Sequence, residues 1–107
     1  MKNTLLATLF SVGFSQELIP DILERYDNGN IKSMTYHKAI RNTTDKVKYI
    51  EYYYNGRKKE EGTYKNGTED GVWTLWYENG RKQGEKTYKS GEYDGLWTWW
   101  YGSGKKA

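Results

Sequence analysis

One stretch of this chain is written twice at a fixed distance. Residues 69–82, Glu-Asp-Gly-Val-Trp-Thr-Leu-Trp-Tyr-Glu-Asn-Gly-Arg-Lys, return 24 positions later as Tyr-Asp-Gly-Leu-Trp-Thr-Trp-Trp-Tyr-Gly-Ser-Gly-Lys-Lys. Between the copies, Glu61-Gly62-Thr63-Tyr64-Lys65-Asn66-Gly67 returns at the same distance as Glu85-Lys86-Thr87-Tyr88-Lys89-Ser90-Gly91. An eroded copy precedes both, with Tyr49, Tyr52, Tyr53 and Gly56 in the places of Trp73, Trp76, Tyr77 and Gly80. Tyr26-Asp27-Asn28-Gly29 is an older remnant, 27 residues before Gly56 in its glycine. A constant period of this kind marks units that cannot bury their apolar faces alone and must stack.

The turn glycines Gly56, Gly67, Gly80, Gly91 and Gly104 alternate 11 and 13 residues apart. That distance admits a strand and a turn but not a helix with its connections. Asn55-Gly56, Asn66-Gly67 and Asn79-Gly80 are read as tight hairpin turns whose positive backbone angles glycine adopts freely. The segments between are rich in Tyr, Trp, Thr and Val, which suit a pleated, half-buried surface. The expectation is an all-β protein: a single-layer antiparallel β-meander of hairpin repeats, with roughly seven or eight strands. Alternation sends Trp73, Leu75 and Tyr77 to one face and Val72, Thr74 and Trp76 to the other. Aromatics make up 17% of the chain although hydrophobic residues are only 36%. Stacked rings, which bury large areas each, are expected to stand in for a two-layer core.

Residues 1–15 read as a signal peptide. Lys2 precedes an apolar run over residues 5–14, too short to span a bilayer, and Gly13 and Ser15 supply small side chains before a cut at Gln16. Export to periplasm, cell surface or medium follows as an expectation. Residues 16–45 read as a divergent lead-in with a degraded first repeat, and residues 46–107 as the repeat array. Residues 17–23 read either as a short helix cut by Pro20 or as an edge strand, with the lead-in strand capping the first repeat preferred.

The motif Asp-Gly-x-Trp-x-x-Trp-Tyr-x-Asn-Gly followed by Glu-Gly-x-Tyr-Lys-x-Gly resembles the MORN repeat in its bacterial variant form. It is also similar to proteins of the YwqK-type antitoxin repeat family. The resemblance covers residues 49–106, and implies a hairpin sheet used for protein contacts, scaffolding or, in some members, lipid association.

The inventory for catalysis is short. There are no cysteines and one histidine, His37, so thiolate and His-cluster metal sites are excluded, and no catalytic, cofactor or metal residue is assigned. The paired acids Glu60-Glu61 and Glu69-Asp70, and Glu92 with Asp94, read as solvated turn residues, since a one-layer sheet offers no deep cleft for a glycosidase-type pair. His37 reads as a partly exposed strand residue, and residues 27–30 as a turn rather than a calcium loop. The formal charge of +3 on an exported chain does not point to nucleic acid.

Candidate binding residues follow from position. Arg57-Lys58 and Arg81-Lys82, with Lys105-Lys106 after them, form a basic rim opposite an acidic one, able to attract an acidic protein, wall polymer or anionic lipid. Tyr52, Trp76 and Trp100 are candidates to stack on a partner or on cell-wall glycan. Trp97, Trp99, Trp100 and Tyr101 belong to a terminal strand without charge, an edge open to another protein or to a second copy. The functional expectation is a non-catalytic interaction or scaffolding module of the bacterial envelope. The alternatives are a glycan-binding module and an envelope immunity or antitoxin-like protein.

Overall fold

The computed structural model describes residues 17–100 and 102–103, with the side chains of residues 96 and 97 set aside. The signal segment, Tyr101 and Lys105-Lys106 lie outside the described residues. Seven strands follow one another: β1 (Ile19–Arg25), β2 (Ile31–Ile40), β3 (Thr43–Tyr52), β4 (Lys58–Lys65), β5 (Thr68–Trp76), β6 (Lys82–Lys89) and β7 (Glu92–Trp99). They form one open antiparallel sheet in chain order, with no helix among the described residues. Its extents are 47 × 36 × 20 Å, in keeping with one layer of seven strands at ~4.8 Å each. The single-layer meander expected from the repeat is the observed fold. The lead-in is strand β1, and Pro20 sits in it because an edge strand tolerates a missing N–H.

Two kinds of turn alternate. At one rim, the Tyr26, Tyr53 and Tyr77 amides donate to the carbonyls of Asn30, Arg57 and Arg81, and the amides of Gly29, Gly56 and Gly80 return to the three tyrosine carbonyls. In each, an Asn side-chain oxygen accepts the amide two residues on: Asn28 from Asn30, Asn55 from Arg57, Asn79 from Arg81. At the opposite rim, Asn66-Gly67 and Ser90-Gly91 make two-residue turns with both φ values positive. Grouping Asn55-Gly56 and Asn79-Gly80 with Asn66-Gly67 is therefore corrected. In the longer turns only the glycine takes a positive φ, and the asparagine works through its side chain. The Tyr26 turn repeats the other two bond for bond, so the older remnant is a true unit. Its wider spacing is accommodated in the β2–β3 hairpin, whose strands have ten residues each.

The core is split between the two sides of the sheet. On the front, Trp73 is buried, stacked on Tyr49 (centroids 6.1 Å, 22° between planes) and edge-on to Tyr64 and Tyr88. Tyr49 and Trp73 are equivalent residues of successive units, so these rings align between repeats as the period demands. On the back, Met34 and Ile50 are paired across β2 and β3, and both are buried. This aliphatic centre, with buried Ser33 and Thr35 beside it on β2, corrects the picture of a core made by rings alone. β2 supplies half of it.

A widened bulge explains where Trp73 lies. Glu61 pairs with Thr74 and Thr63 with Asp70, so Gly71, Val72 and Trp73 together face Gly62. Gly71 turns through φ 83° to make the bulge. The indole then lies over Gly62, where a Cβ would come within 1.9 Å of the ring, and its Nε1 donates to the Thr63 carbonyl at 3.1 Å. In the next unit β7 widens at the same place, with Gly95 (φ 86°) for Gly71.

Candidate binding surface

The back face carries lysines and rings in a repeating pattern set by the pleat. Tyr36 on β2, Lys48 and Tyr52 on β3, Lys58 and Glu61 on β4, Trp76 on β5, and Lys82 and Glu85 on β6 share this side, and Trp100 continues it. Lys58 Nζ lies 5.9 Å from the Trp76 ring centroid and Lys82 Nζ 5.3 Å from that of Trp100, the same contact one period apart. Lys58 also pairs with Glu61 at 2.8 Å and Lys82 with Glu85 at 3.0 Å. Lys48 extends the row, 5.7 Å from the Tyr36 ring and 2.9 Å from Glu61. Each ammonium is thereby held between a carboxylate and a π-face.

The ionisation of Glu61 follows from this. Burial alone would raise its carboxyl, but hydrogen bonds and charge from Lys58 and Lys48 hold it below the ordinary range. Burial raises the Tyr52 phenol, which donates to the Met34 sulfur at 4.0 Å. On the front, burial pushes Tyr49 up to about 12, assisted by Glu51, which accepts its hydroxyl at 3.3 Å. Burial likewise raises Glu60, against the pull of Lys86.

The residues singled out from sequence fall into separate places. Tyr52, Trp76, Lys58, Lys82 and Trp100 come together on the back face. Arg57 and Arg81 stay at the rim, Arg57 packed beside Gly80 and Arg81 donating to the Ser103 carbonyl. Trp99 belongs to the front face near Gly84, 36% exposed. Trp97 is placed by its backbone opposite Lys86, and Tyr101 lies outside the described residues. The division into a basic and an acidic rim is corrected. Lys58 and Lys82 are engaged by glutamates, Asp27 and Glu78 share their rim, and Lys65 and Lys89 stand with Asp70 around a concavity of about 470 Å³ at the other. Tyr36, Lys48 and Glu85 were not singled out, and the reading of Glu60-Glu61 as solvated turn residues is corrected, since both lie half-buried in β4. The common 24-residue spacing of Lys58 with Glu61 and Lys82 with Glu85 was the signal that could have found the acids.

The rim itself is clasped from unit to unit. Tyr26, Tyr53 and Tyr77 hydroxyls donate to the carbonyls of Tyr52, Trp76 and Trp100 at 2.7–2.8 Å. Asn55 and Asn79 amides reach the carbonyls of Glu78 and Gly102. Two segments, residues 47–66 and 69–90, match the family model described as MORN repeat variant. These two segments are similar to MORN-variant repeats. The matched segments each hold most of a strand, a tyrosine turn and the returning strand, and together they span less than half of the chain. No curated protein and no solved structure matches it. MORN variants are non-catalytic repeat units suited to binding or scaffolding. Among the described residues no group of three or more His, Asp or Glu is arranged to hold a metal ion.

Proposed function

We propose that this protein is a non-catalytic, exported repeat module that binds another protein at the bacterial envelope through the lysine–aromatic row of its back face. The observation that carries the reading is the row itself. Trp76 and Trp100 are half-buried, each beside one ammonium and its glutamate, on a sheet with no second layer above them among the described residues. Rings with pre-placed charges suit a protein surface, where aromatic anchors and hydrogen-bonded charges act together. An antitoxin-like or immunity role would be one form of such binding.

The test uses the whole chain as bait against envelope extract, with tryptophan emission titrated in parallel by wall fragments, soluble glycans and anionic vesicles. The expected result is a retained protein that is lost when Lys58→Glu and Lys82→Glu are combined, with no emission shift from sugars or vesicles. Export is tested by N-terminal sequencing of the protein made in a bacterial host, expected to start at Gln16. A glycan reading has one observation in its favour: Tyr52, Trp76 and Trp100 recur every second strand, about 9.6 Å apart at ~4.8 Å per strand, which makes a row of stacking platforms. An emission shift with wall fragments and no captured protein replaces the first reading with this one.

A further inference from the structure

Four Asn-Gly links occur in the chain, at Asn28-Gly29, Asn55-Gly56, Asn66-Gly67 and Asn79-Gly80. Such a link can cyclise, because glycine puts no side chain in the way when its nitrogen attacks the preceding carboxamide. Three of the four are guarded twice. The amides of Gly29, Gly56 and Gly80 donate to the carbonyls of Tyr26, Tyr53 and Tyr77 at 2.9 Å. Each of these asparagines also accepts, at its Oδ1, the amide two residues on, again at 2.9 Å. Asn55 and Asn79 are tied a third time, their Nδ2 donating to the carbonyls of Glu78 and Gly102. Asn66-Gly67 differs on every count. Among the described residues, neither the Gly67 amide nor the Asn66 carboxamide has a hydrogen-bond partner in the protein. Both residues are exposed, and no atom beyond the chain neighbours lies within 4 Å of where a Gly67 Cβ would stand.

We propose that Asn66 is a site of spontaneous deamidation in the folded protein, and that the change loosens the β4–β5 hairpin. This goes beyond the proposed function, since it concerns the rim rather than the back face. The Gly67 nitrogen gives its proton to hydroxide, and its electron pair forms a bond to Asn66 Cγ. The Cγ–Nδ2 bond then breaks, and Nδ2 leaves as ammonia with a proton taken from water. Water opens the resulting succinimide at either of its carbonyls. One opening leaves aspartate, and the other leaves isoaspartate, whose main chain runs through an extra methylene. At the three guarded links the glycine amide and the asparagine must first give up their hydrogen bonds, and at Asn66 there are none to give up. The new carboxylate joins Lys65, Asp70 and Lys89 at the concavity of about 470 Å³ that Asn66 also lines. The extra methylene enters a two-residue turn with φ values of 53° and 84°, whose length sets Lys65 opposite Thr68. The next unit writes this turn as Ser90-Gly91, which has no carboxamide to lose, and its Gly91 amide donates to the Glu69 carbonyl at 2.8 Å.

The test is peptide mapping by mass spectrometry on the full chain held in mildly alkaline buffer, both folded and in denaturant. In the folded chain Asn66 should convert at least about tenfold faster than Asn28, Asn55 or Asn79, whose hydrogen bonds must open first. In denaturant the four rates should converge. Asn66→Ser should leave the folded chain almost unaltered over the same time. Ser90→Asn adds the same dipeptide in the same kind of turn, with its glycine amide engaged, and should convert several-fold more slowly than Asn66. The isoaspartate-bearing fraction, separated by ion exchange, should melt earlier than the intact chain. A guarded link that keeps pace with Asn66 in the folded chain overturns the proposal. So does an Asn66 that stays intact while the unfolded chain converts, a Ser90→Asn site as fast as Asn66, or an isoaspartate fraction that melts with the intact chain. None of these outcomes touches the back-face reading, which is read by the Lys58 and Lys82 variants.

Discussion

Gly62 shows how much a single missing side chain can fix. The Trp73 ring occupies the space its Cβ would take, within 1.9 Å, and the ring touches Tyr49, Tyr64 and Tyr88 from there. Gly62→Ala should therefore cost about 1–3 kcal/mol through overpacking, measured by urea melts. Trp73→Ala should cost about 3–5 kcal/mol. The double variant should fall well short of the sum, since the clash is absent once the ring is gone. Neighbouring acids on opposite faces make a second residue-scale test. Burial raises Glu60, so its charge destabilises the fold at neutral pH, and the cost fades as pH falls through the raised value. Glu61 is held low by Lys58 and Lys48, so its contribution is present above the ordinary carboxylate range and lost as pH falls through the lowered value. Thermal melts at pH 7 should show Glu60→Gln more stable than wild type and Glu61→Gln less stable. Both differences should shrink in acid.

At the scale of the element, the two turn types divide the labour. The two-residue turns at Asn66-Gly67 and Ser90-Gly91 reverse the chain, and the second also reaches back one unit, its Gly91 amide donating to the Glu69 carbonyl at 2.8 Å. The tyrosine turns also clasp the following unit, because a phenol at the start of the turn reaches the carbonyl that ends the next aromatic strand. Tyr53→Phe and Tyr77→Phe should each lower stability by about 1 kcal/mol, the worth of one hydrogen bond with a neutral partner. Denaturant melts should show an earlier midpoint with an unchanged slope, since the surface exposed on unfolding is the same. The turn types were not separable from sequence, since both are written Asn-Gly. The difference lies in whether the asparagine uses its backbone or its side chain, and that depends on the strand register around it. The strands themselves were legible, because glycine spacing and β-forming residues repeat together.

For the whole molecule, one layer means that each strand is supported only by its sheet neighbours, so stability is a nearest-neighbour sum along the ribbon. β3 to β5 carry Ile50, Tyr49, Gly62 and Trp73, while every residue of β1 is exposed. Hydrogen exchange should accordingly show the slowest amides in β3–β5 and the fastest in β1, graded between them. Uniform protection across all seven strands would contradict a ribbon of locally supported units.

The period determined the strand count, their order and the placing of Tyr49 beneath Trp73, because units of equal length must stack in equal register. Tertiary structure alone decided the rest. The bulge at Gly71 swings Trp73 over Gly62, β2 contributes Met34 to a second core, and Lys58 and Lys82 are taken up by glutamates instead of forming a free basic rim. Each of these turns on a register slip or a cross-strand distance, and a one-residue slip moves a side chain to the other face without changing the sequence pattern at all.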